Sequence, residues 1–268
     1  MFTNHQSPIT NHKSPLTEVA AIILAGGLGT RIRNLYPDLP KAMLPVAGRP
    51  WLDWVIIWLS RQGVQRFVLS LGYRGEMVEA HYERNPLPGL ELRACREREP
   101  LGTAGGMALA CQLAPWAEVF VVANGDSIVS ADIRAPLAEF TACGAAIGLI
   151  ALPMDDCGRY GHVEVDASGR LKAFREKGPG PGLINAGVYF VRRSVIDTMP
   201  KVRPLSLEVD LFPELIARGT EIRVYPCPAA FLDIGTPSSL EAADGFIQEH
   251  LENYLAQSRR AAERPSRK

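Results

Sequence analysis

The chain has 268 residues, of which 47% are hydrophobic, and its 29 Lys and Arg balance 29 Asp and Glu; this is enough apolar material for one large α/β domain, without the basic field that nucleic acid would require. Its five cysteines, Cys95, Cys111, Cys143, Cys157 and Cys227, are odd in number and lack any CxxC spacing, and they read as reduced, mostly buried thiols of a reducing compartment. Apolar stretches are broken by charge or glycine well short of a membrane span and the N-terminus is too polar for a signal peptide, so a cytoplasmic protein without membrane or nucleic-acid partners is expected.

Residues 1–17 carry TNHQSP and then TNHKSP, an imperfect repeat with little to bury. They are expected to form a disordered tail in which His5 and His12 are solvated rather than metal ligands. Strand-like and helix-like patterns then alternate through a single expected domain, 18–256. The first predicted strand, Val19–Leu24, runs into the glycine-rich LAGGLGTR. A predicted helix over Trp51–Gln62 presents Trp51, Trp54 and Trp58 on a wide apolar surface, which reads as core or in part as a homodimer contact. Predicted strands at Arg66–Leu71, Leu90–Ala94, Val119–Ala123 and Ala145–Ala151 alternate with predicted helices at Gly75–Arg84, Gly105–Leu113 and Asp132–Cys143. A hairpin is expected over Val163–Phe174, turning at Asp166, Ser168 and Gly169, with His162 facing solvent beside it. A strand over Gly187–Val191 and helices over Leu207–Arg218 and Ser238–Leu255 complete the domain. The tail 257–268 holds five basic residues against one Glu and reads as a solvated basic segment. This alternation predicts a Rossmann-like α/β fold, a mostly parallel (mixed) sheet flanked by helices.

Chemistry concentrates at two strand ends. Leu24, Ala25, Gly26, Gly27, Gly29 and Thr30 offer backbone N–H groups to an anion, and Arg31 and Lys41 supply full positive charge, so the loop is suited to phosphates. A dinucleotide fingerprint would need glycine where Ile32 stands, and the Gly-Lys-Ser/Thr of a Walker loop occurs nowhere. The apolar run VFVVANGD stops at Asp126, which alone would read as a turn-former or helix cap. With Asp233 in FLDIGTP it forms a carboxylate pair that, together with nucleotide phosphates, makes the hard oxygen shell Mg²⁺ prefers. Ligands of open α/β sheets sit beyond the carboxyl ends of strands, so LAGG and NGD point into one crevice.

These segments, with LPKAMLPV from Leu39, EPLGTAGG from Glu99, Glu176-Lys177 and INAGVY from Ile184, resemble in order the signature of the sugar nucleotidyltransferases over roughly Val19–Gly245. The resemblance implies a nucleotide-diphospho-sugar transferase (GT-A-like) fold and transfer of a nucleoside monophosphate to a sugar 1-phosphate, with Asp126 and Asp233 holding Mg²⁺. Arg31 would steady the triphosphate and pyrophosphate, and Lys41 the α-phosphate. Glu97, Leu101, Gly102, Thr103, Asn124 and Gly125 would join the nucleotide side. Tyr160, Gly161, Glu176, Lys177, Asn185, Ala186 and Gly187 would bind the sugar phosphate, Lys177 at its phosphate and Glu176 and Asn185 at ring hydroxyls. A sugar phosphate is largely dianionic near neutrality, its second pKa being about 6, so it attacks without a general base.

Base choice turns on Glu97 and Glu99. A carboxylate accepts both adjacent donors of guanine and is repelled by uracil's carbonyls. Either Glu therefore favours GTP if it reaches the base, and is otherwise a solvated loop charge. LPKAMLPVAGRP, GLINAGVY and PLSLEVDLFP, the last with Ser206, Glu208 and Asp210, are most similar to the D-glycero-α-D-manno-heptose 1-phosphate guanylyltransferases, which supply GDP-heptose for capsule, lipopolysaccharide and S-layer glycan. Ala42 stands where many relatives have proline. Ala186 stands where some have glycine, its methyl expected to bear on the sugar pocket. Rival readings are a mannose 1-phosphate guanylyltransferase, a uridylyltransferase, and a non-catalytic nucleotide sensor; the last requires loss of a cation or metal ligand, and all are present. No hexapeptide repeat follows Gly245, which argues against an acyltransferase domain.

Overall fold

The computed structural model describes residues 18–158 and 160–252, including side chains except at 175–177 and 252. The tails expected at 1–17 and 257–268 lie outside the described residues. In chain order the elements are β1 (Val19–Ala25), β2 (Pro45–Val46), β3 (Arg49–Pro50), α1 (Trp51–Arg61), β4 (Arg66–Leu71), α2 (Gly75–Arg84), β5 (Glu91–Arg96) and α3 (Gly102–Cys111). There follow β6 (Val119–Asn124), β7 (Ser127–Val129), α4 (Arg134–Ala142), β8 (Ile147–Met154), β9 (Gly161–Val165), β10 (Leu171–Lys177), β11 (Gly182–Arg192) and α5 (Arg193–Asp197). The last are α6 (Phe212–Ala217), β12 (Ile222–Pro226), β13 (Phe231–Asp233), α7 (Pro237–Glu241) and α8 (Ala243–Ile247).

One half of the main sheet is parallel, in the order β5, β4, β1, β6. Beyond β6 it turns antiparallel through β11 and β8, and β12 closes that side parallel to β8. The β9–β10 hairpin joins the start of β11 through Ile184 and His162. Because β1 is interior, both its faces are apolar: Val19, Ala21 and Ile23 enter one core, Ala20 and Ile22 the other, as a parallel strand covered on both sides requires. The first core takes in α1, α4 and α8, and the second takes in α3, α5 and α6.

The three tryptophans are buried in the first core. The indole N–H of Trp54 donates to the Val46 carbonyl at 2.8 Å and that of Trp58 to the Ala131 carbonyl at 3.2 Å. These bonds fasten α1 to β2 before it and to the segment after β7, and the three indoles are not a surface for a second copy. Cys111 and Cys157 are buried and all five cysteines are free. Among the described residues, no helix is long and apolar enough to cross a membrane.

Several boundaries differ from the predicted ones. The expected helix Ser238–Leu255 is divided into α7, α8 and a π-helical turn at Gln248–Glu252. Leu207–Leu211 is also a π-helical turn. Helix α6 starts afresh at Phe212 because Pro213, lacking an N–H, suits only a first helical turn. Helix α3 begins at Gly102, ahead of the predicted Gly105. The hairpin forms as expected, with Asp166 Oδ1 accepting the Ser168 and Arg170 amides at 2.8 and 3.1 Å. His162 does not face solvent: it is half-buried and its Nε2 lies 2.9 Å from the Gly178 carbonyl. Strand β12 is not among the predicted strands, and the three-residue strands β7 and β13 are too short to leave a period-2 signal.

Candidate active site

Strands β4, β1 and β6 end at one edge of the sheet, and the chain leaving each of them walls a cleft of about 570 Å³. Its size suits a nucleotide and its position is the crevice beyond the carboxyl ends of parallel strands. Leu24, Ala25, Gly26 and Gly27 come from the end of β1, and Asn124, Gly125 and Asp126 from that of β6. Glu97, Gly102 and Thr103 come from the approach to α3. Gly72 and Tyr73, leaving β4, also line the cleft, as do Arg98 and Pro100. Arg98 and Pro100 belong to the stretch around EPLGTAGG, whereas no motif marks Gly72 and Tyr73, to which only the crevice rule applied to Arg66–Leu71 points.

Gly29, Thr30 and Arg31 do not line the cleft. They form the turn after its first wall, with Thr30 and Arg31 exposed. Gly29 takes φ +57°, and a Cβ there would lie 3.2 Å from the Lys41 Cβ, so glycine lets this turn pass close to the lysine. Lys41 itself is fixed by a single 3-10 turn, Lys41–Met43, that follows Pro40.

The polar centre of the site is Lys41 between two aspartates. Its side chain is only 14% exposed, its Nζ donates to Asp126 Oδ2 at 2.7 Å, and it stands 3.9 Å from Asp233 Oδ1. The aspartates meet because β7 and β13 pair: Asp233 lies opposite Ser127, and the Ile234 amide donates to the Asp126 carbonyl at 3.0 Å. Ser127 Oγ donates to Asp126 Oδ1 at 3.3 Å, and the Gly235 amide donates to Asp233 Oδ1. Burial first, and then the like charge of Asp126, holds the Asp233 carboxyl above the ordinary carboxylate range, against the pull of Lys41, the Gly235 amide and Arg31. Two crowded carboxylates short of positive charge suit a divalent cation. No group of three or more His, Cys, Asp or Glu placed to hold a metal occurs among the described residues. Two carboxylates are fewer ligands than an all-protein cage supplies, so a hard cation held here would take the rest of its oxygen shell from substrate phosphates and water.

Glu97 is turned inward. One carboxylate oxygen accepts from Ser70 Oγ at 3.0 Å and the other from the Leu101 amide at 3.0 Å. Leu101 is not part of the cleft wall, and its carbonyl accepts the Leu205 amide at 2.8 Å, so both its backbone groups are committed within the protein rather than offered to a base. Glu99 is exposed at the cleft's edge.

The expected sugar-side residues sit outside this cleft. Glu176 and Lys177 are the last two residues of β10, with Lys177 paired to Gly161, and their side chains lie outside the described residues. The ring of Tyr160 lies edge-on to Phe231 at 5.6 Å, close to Asp233. Asn185 turns its amide toward Tyr189, with Nδ2 donating to the phenol oxygen at 2.7 Å. The Ala186 methyl is packed in the core at 2% exposure, so the departure at that position does not face a sugar pocket. Gly187 adopts φ +69°, and a Cβ there would lie 2.6 Å from Asn124 Nδ2; the acceptor strand thus abuts the NGD segment.

A glycine-rich wall and a pair of aspartates thus meet at the carboxyl edge of the parallel strands. Residues 20–250 match the family described as "Nucleotidyl transferase". The chain is 33% identical over 232 residues to D-glycero-alpha-D-manno-heptose 1-phosphate guanylyltransferase of Aneurinibacillus thermoaerophilus, covering 86% of this chain and 99% of that one. It is 35% identical to Mannose-1-phosphate guanylyltransferase of Mycobacterium tuberculosis, covering 82% of this chain but 62% of the relative's length. The crystal structure of HddC from Yersinia pseudotuberculosis complexed with GMP-PN superposes with TM-score 0.75 at 30% identity, covering 85% of this chain and 99% of that one. The chain belongs to the nucleotidyl transferase family.

Proposed function

We propose that the chain transfers GMP from GTP to D-glycero-α-D-manno-heptose 1-phosphate, yielding GDP-D-glycero-α-D-manno-heptose and pyrophosphate for bacterial surface polysaccharide. The observation that carries the reaction type is Lys41 held between Asp126 and Asp233 beside the nucleotide cleft. The heptose acceptor is supported by similarity across 99% of the Aneurinibacillus enzyme. A mannose 1-phosphate acceptor is the second reading, on the 35% identity to the mycobacterial enzyme.

In this reading the glycine wall and Lys41 hold the triphosphate, and Arg31 folds in from its exposed turn onto the departing pyrophosphate. Asp126 and Asp233 would hold Mg²⁺, which when bound supplies charge neutralisation at phosphate oxygens. An oxygen of the sugar phosphate attacks the α-phosphorus in line. That P–O bond forms as the α,β-bridging P–O bond breaks, and the electron pair leaves with pyrophosphate. No proton has to be removed, so the chain's residues act by positioning two anions and relieving their repulsion.

Pyrophosphate release with Mg²⁺, crossing GTP, UTP, dTTP, CTP and ATP with heptose, mannose and glucose 1-phosphates, tests the reading. Release confined to GTP with the heptose phosphate is expected. Release with mannose 1-phosphate instead would replace the acceptor, and release with another nucleotide would replace the base.

A further inference from the structure

Behind the cleft lies a chain of polar contacts that links it to the acceptor strand, and its hub is Glu208. We infer that Glu208 is a positioning residue, which orients Asn185 through the phenol of Tyr189 and anchors Thr103 of the nucleotide cleft with its other oxygen. The inference rests on the reading above that Asn185 meets the sugar.

Tyr189 Oη donates to Glu208 Oε1 at 2.6 Å and accepts from Asn185 Nδ2 at 2.7 Å. Glu208 Oε2 accepts from Ser206 Oγ at 3.1 Å and from Thr103 Oγ1 at 3.4 Å, while Thr103 Oγ1 accepts the Leu207 amide at 2.8 Å. One carboxylate therefore gathers donors from β11, from the π-helical turn and from the first turn of α3. Tyr189 is fully buried, and burial followed by the Glu208 charge keeps its phenol protonated and donating. Asn185 and Tyr189 are four residues apart, about 13 Å along a regular strand. They touch because the pairing of β11 with β8 is irregular between them. The Gly187 amide donates to Asn185 Oδ1 at 2.9 Å, so both ends of the Asn185 amide are held within that irregularity.

The neighbourhood is built to keep this hub still. A Cβ on Gly102 would lie 2.4 Å from the Leu205 carbonyl, which in turn accepts the Ala104 amide at 2.9 Å, so the segment leading to Glu208 is laid directly on the start of α3. Tyr189 packs edge-on against Phe212 at 5.4 Å, and Phe212 stacks on Phe174 at 5.7 Å. Phe174 belongs to β10, the strand that ends in Glu176 and Lys177. A residue that does not itself line the cleft thus sets the geometry of Thr103 and of Asn185, and the arrangement is that of a half-buried polar network anchored on the buried Tyr189.

The test combines a reading that needs no substrate with one that does. In ¹⁵N-labelled protein, Glu208→Gln should shift the Asn185 side-chain amide resonances although the side chain at that position does not touch Asn185, because the phenol then donates to a neutral amide oxygen in place of a carboxylate and becomes a weaker acceptor for Asn185. In pyrophosphate release, Tyr189→Phe should raise the KM for the sugar phosphate about tenfold while the KM for the nucleotide stays within about twofold. Glu208→Gln should raise both, and the double variant should add little to the sugar-phosphate effect of either single one. Unmoved Asn185 resonances in Glu208→Gln, or folded variants with lowered melting temperature and unchanged KM values, overturn the positioning role and leave a structural brace. Shifted resonances in a protein that releases no pyrophosphate with any substrate pair would overturn the proposed reaction and keep the link between Glu208 and Asn185.

Discussion

The two halves of the sheet carry their chemistry differently. In the parallel half, functional groups sit just past strand ends, on loops whose own conformation is set by glycines and by Lys41 between its aspartates. In the antiparallel half, the candidate groups lie within strands, and Asn185 gets its orientation from an irregular pairing and from Tyr189 of its own strand, whose phenol is held in turn by Glu208. The first arrangement separates function from stability, since a loop side chain can change while the strands beneath stay paired. The second ties them together. Substitutions in the two halves should therefore divide cleanly in how they affect turnover and melting.

The largest effect is expected from Asp126→Asn and Asp233→Asn. In the proposed reaction each removes a charge at the point where the phosphates would react, and each should cut pyrophosphate release about a thousandfold. The melting temperature should stay near wild type, because the β7–β13 backbone pairing that brings the two together is untouched. Near-normal turnover of both variants at limiting Mg²⁺ would falsify the metal assignment. Lys41→Met should follow at about a hundredfold, again without unfolding, since it leaves two carboxylates facing one another in a site that is open to cation. A large fall in melting temperature in any of the three would break the contrast between the halves.

Gly187→Ala probes the other half. An L-residue at φ +69° is strained, and the added Cβ would lie 2.6 Å from Asn124 Nδ2. We expect a loss of about 2 kcal/mol, seen as a fall of roughly 5 °C in melting temperature, together with weaker use of the sugar phosphate. Loss of sugar-phosphate use with unchanged melting would show that the antiparallel half also keeps function apart from stability.

What could be read in the sequence follows the same division. Val19–Leu24, Arg66–Leu71 and Val119–Ala123 stand out because interior parallel strands are apolar on both faces, and their ends carry glycines and a carboxylate that no buried strand would keep. The ion pair of Lys41 with Asp126, by contrast, joins residues 85 apart in the chain and was not indicated by either motif. The pairing that unites Asp126 with Asp233 was not legible, since β7 and β13 are three residues each and leave no periodic signal. Nor was the inward turn of Asn185, which depends on where β11 departs from regular pairing with β8. The methyl of Ala186 was expected at a sugar and is in the core, for the same reason: one irregular pairing changes which face a residue meets. Trp51, Trp54 and Trp58 leave two readings open in the sequence, and only their burial, with the hydrogen bonds of Trp54 and Trp58, selects the core.

Glu97 is the residue for which the contrast is least clear, and the expected effect is the smallest. It belongs to the parallel half yet behaves as a brace, joining Ser70 of β4 to Leu101. A carboxylate has about four lone-pair positions, so two remain to accept the adjacent N–H groups of guanine. Glu97→Gln keeps an acceptor for Leu101 and lets Ser70 Oγ accept in turn, so the fold should lose less than about 1 kcal/mol. If the carboxylate reads guanine, the ratio of GTP to UTP turnover should nevertheless fall about tenfold, because a hydrogen bond to a charged group is worth roughly 1.5–3 kcal/mol. Glu99→Gln, altering an exposed charge at the cleft's edge, should change that ratio by less than about twofold. The reverse ranking would move base reading to the rim. An unchanged ratio in both would assign it to the cleft's backbone and leave Glu97 a brace alone, whereas a fall confined to Glu97→Gln would place stability and function on one set of bonds, as in the antiparallel half.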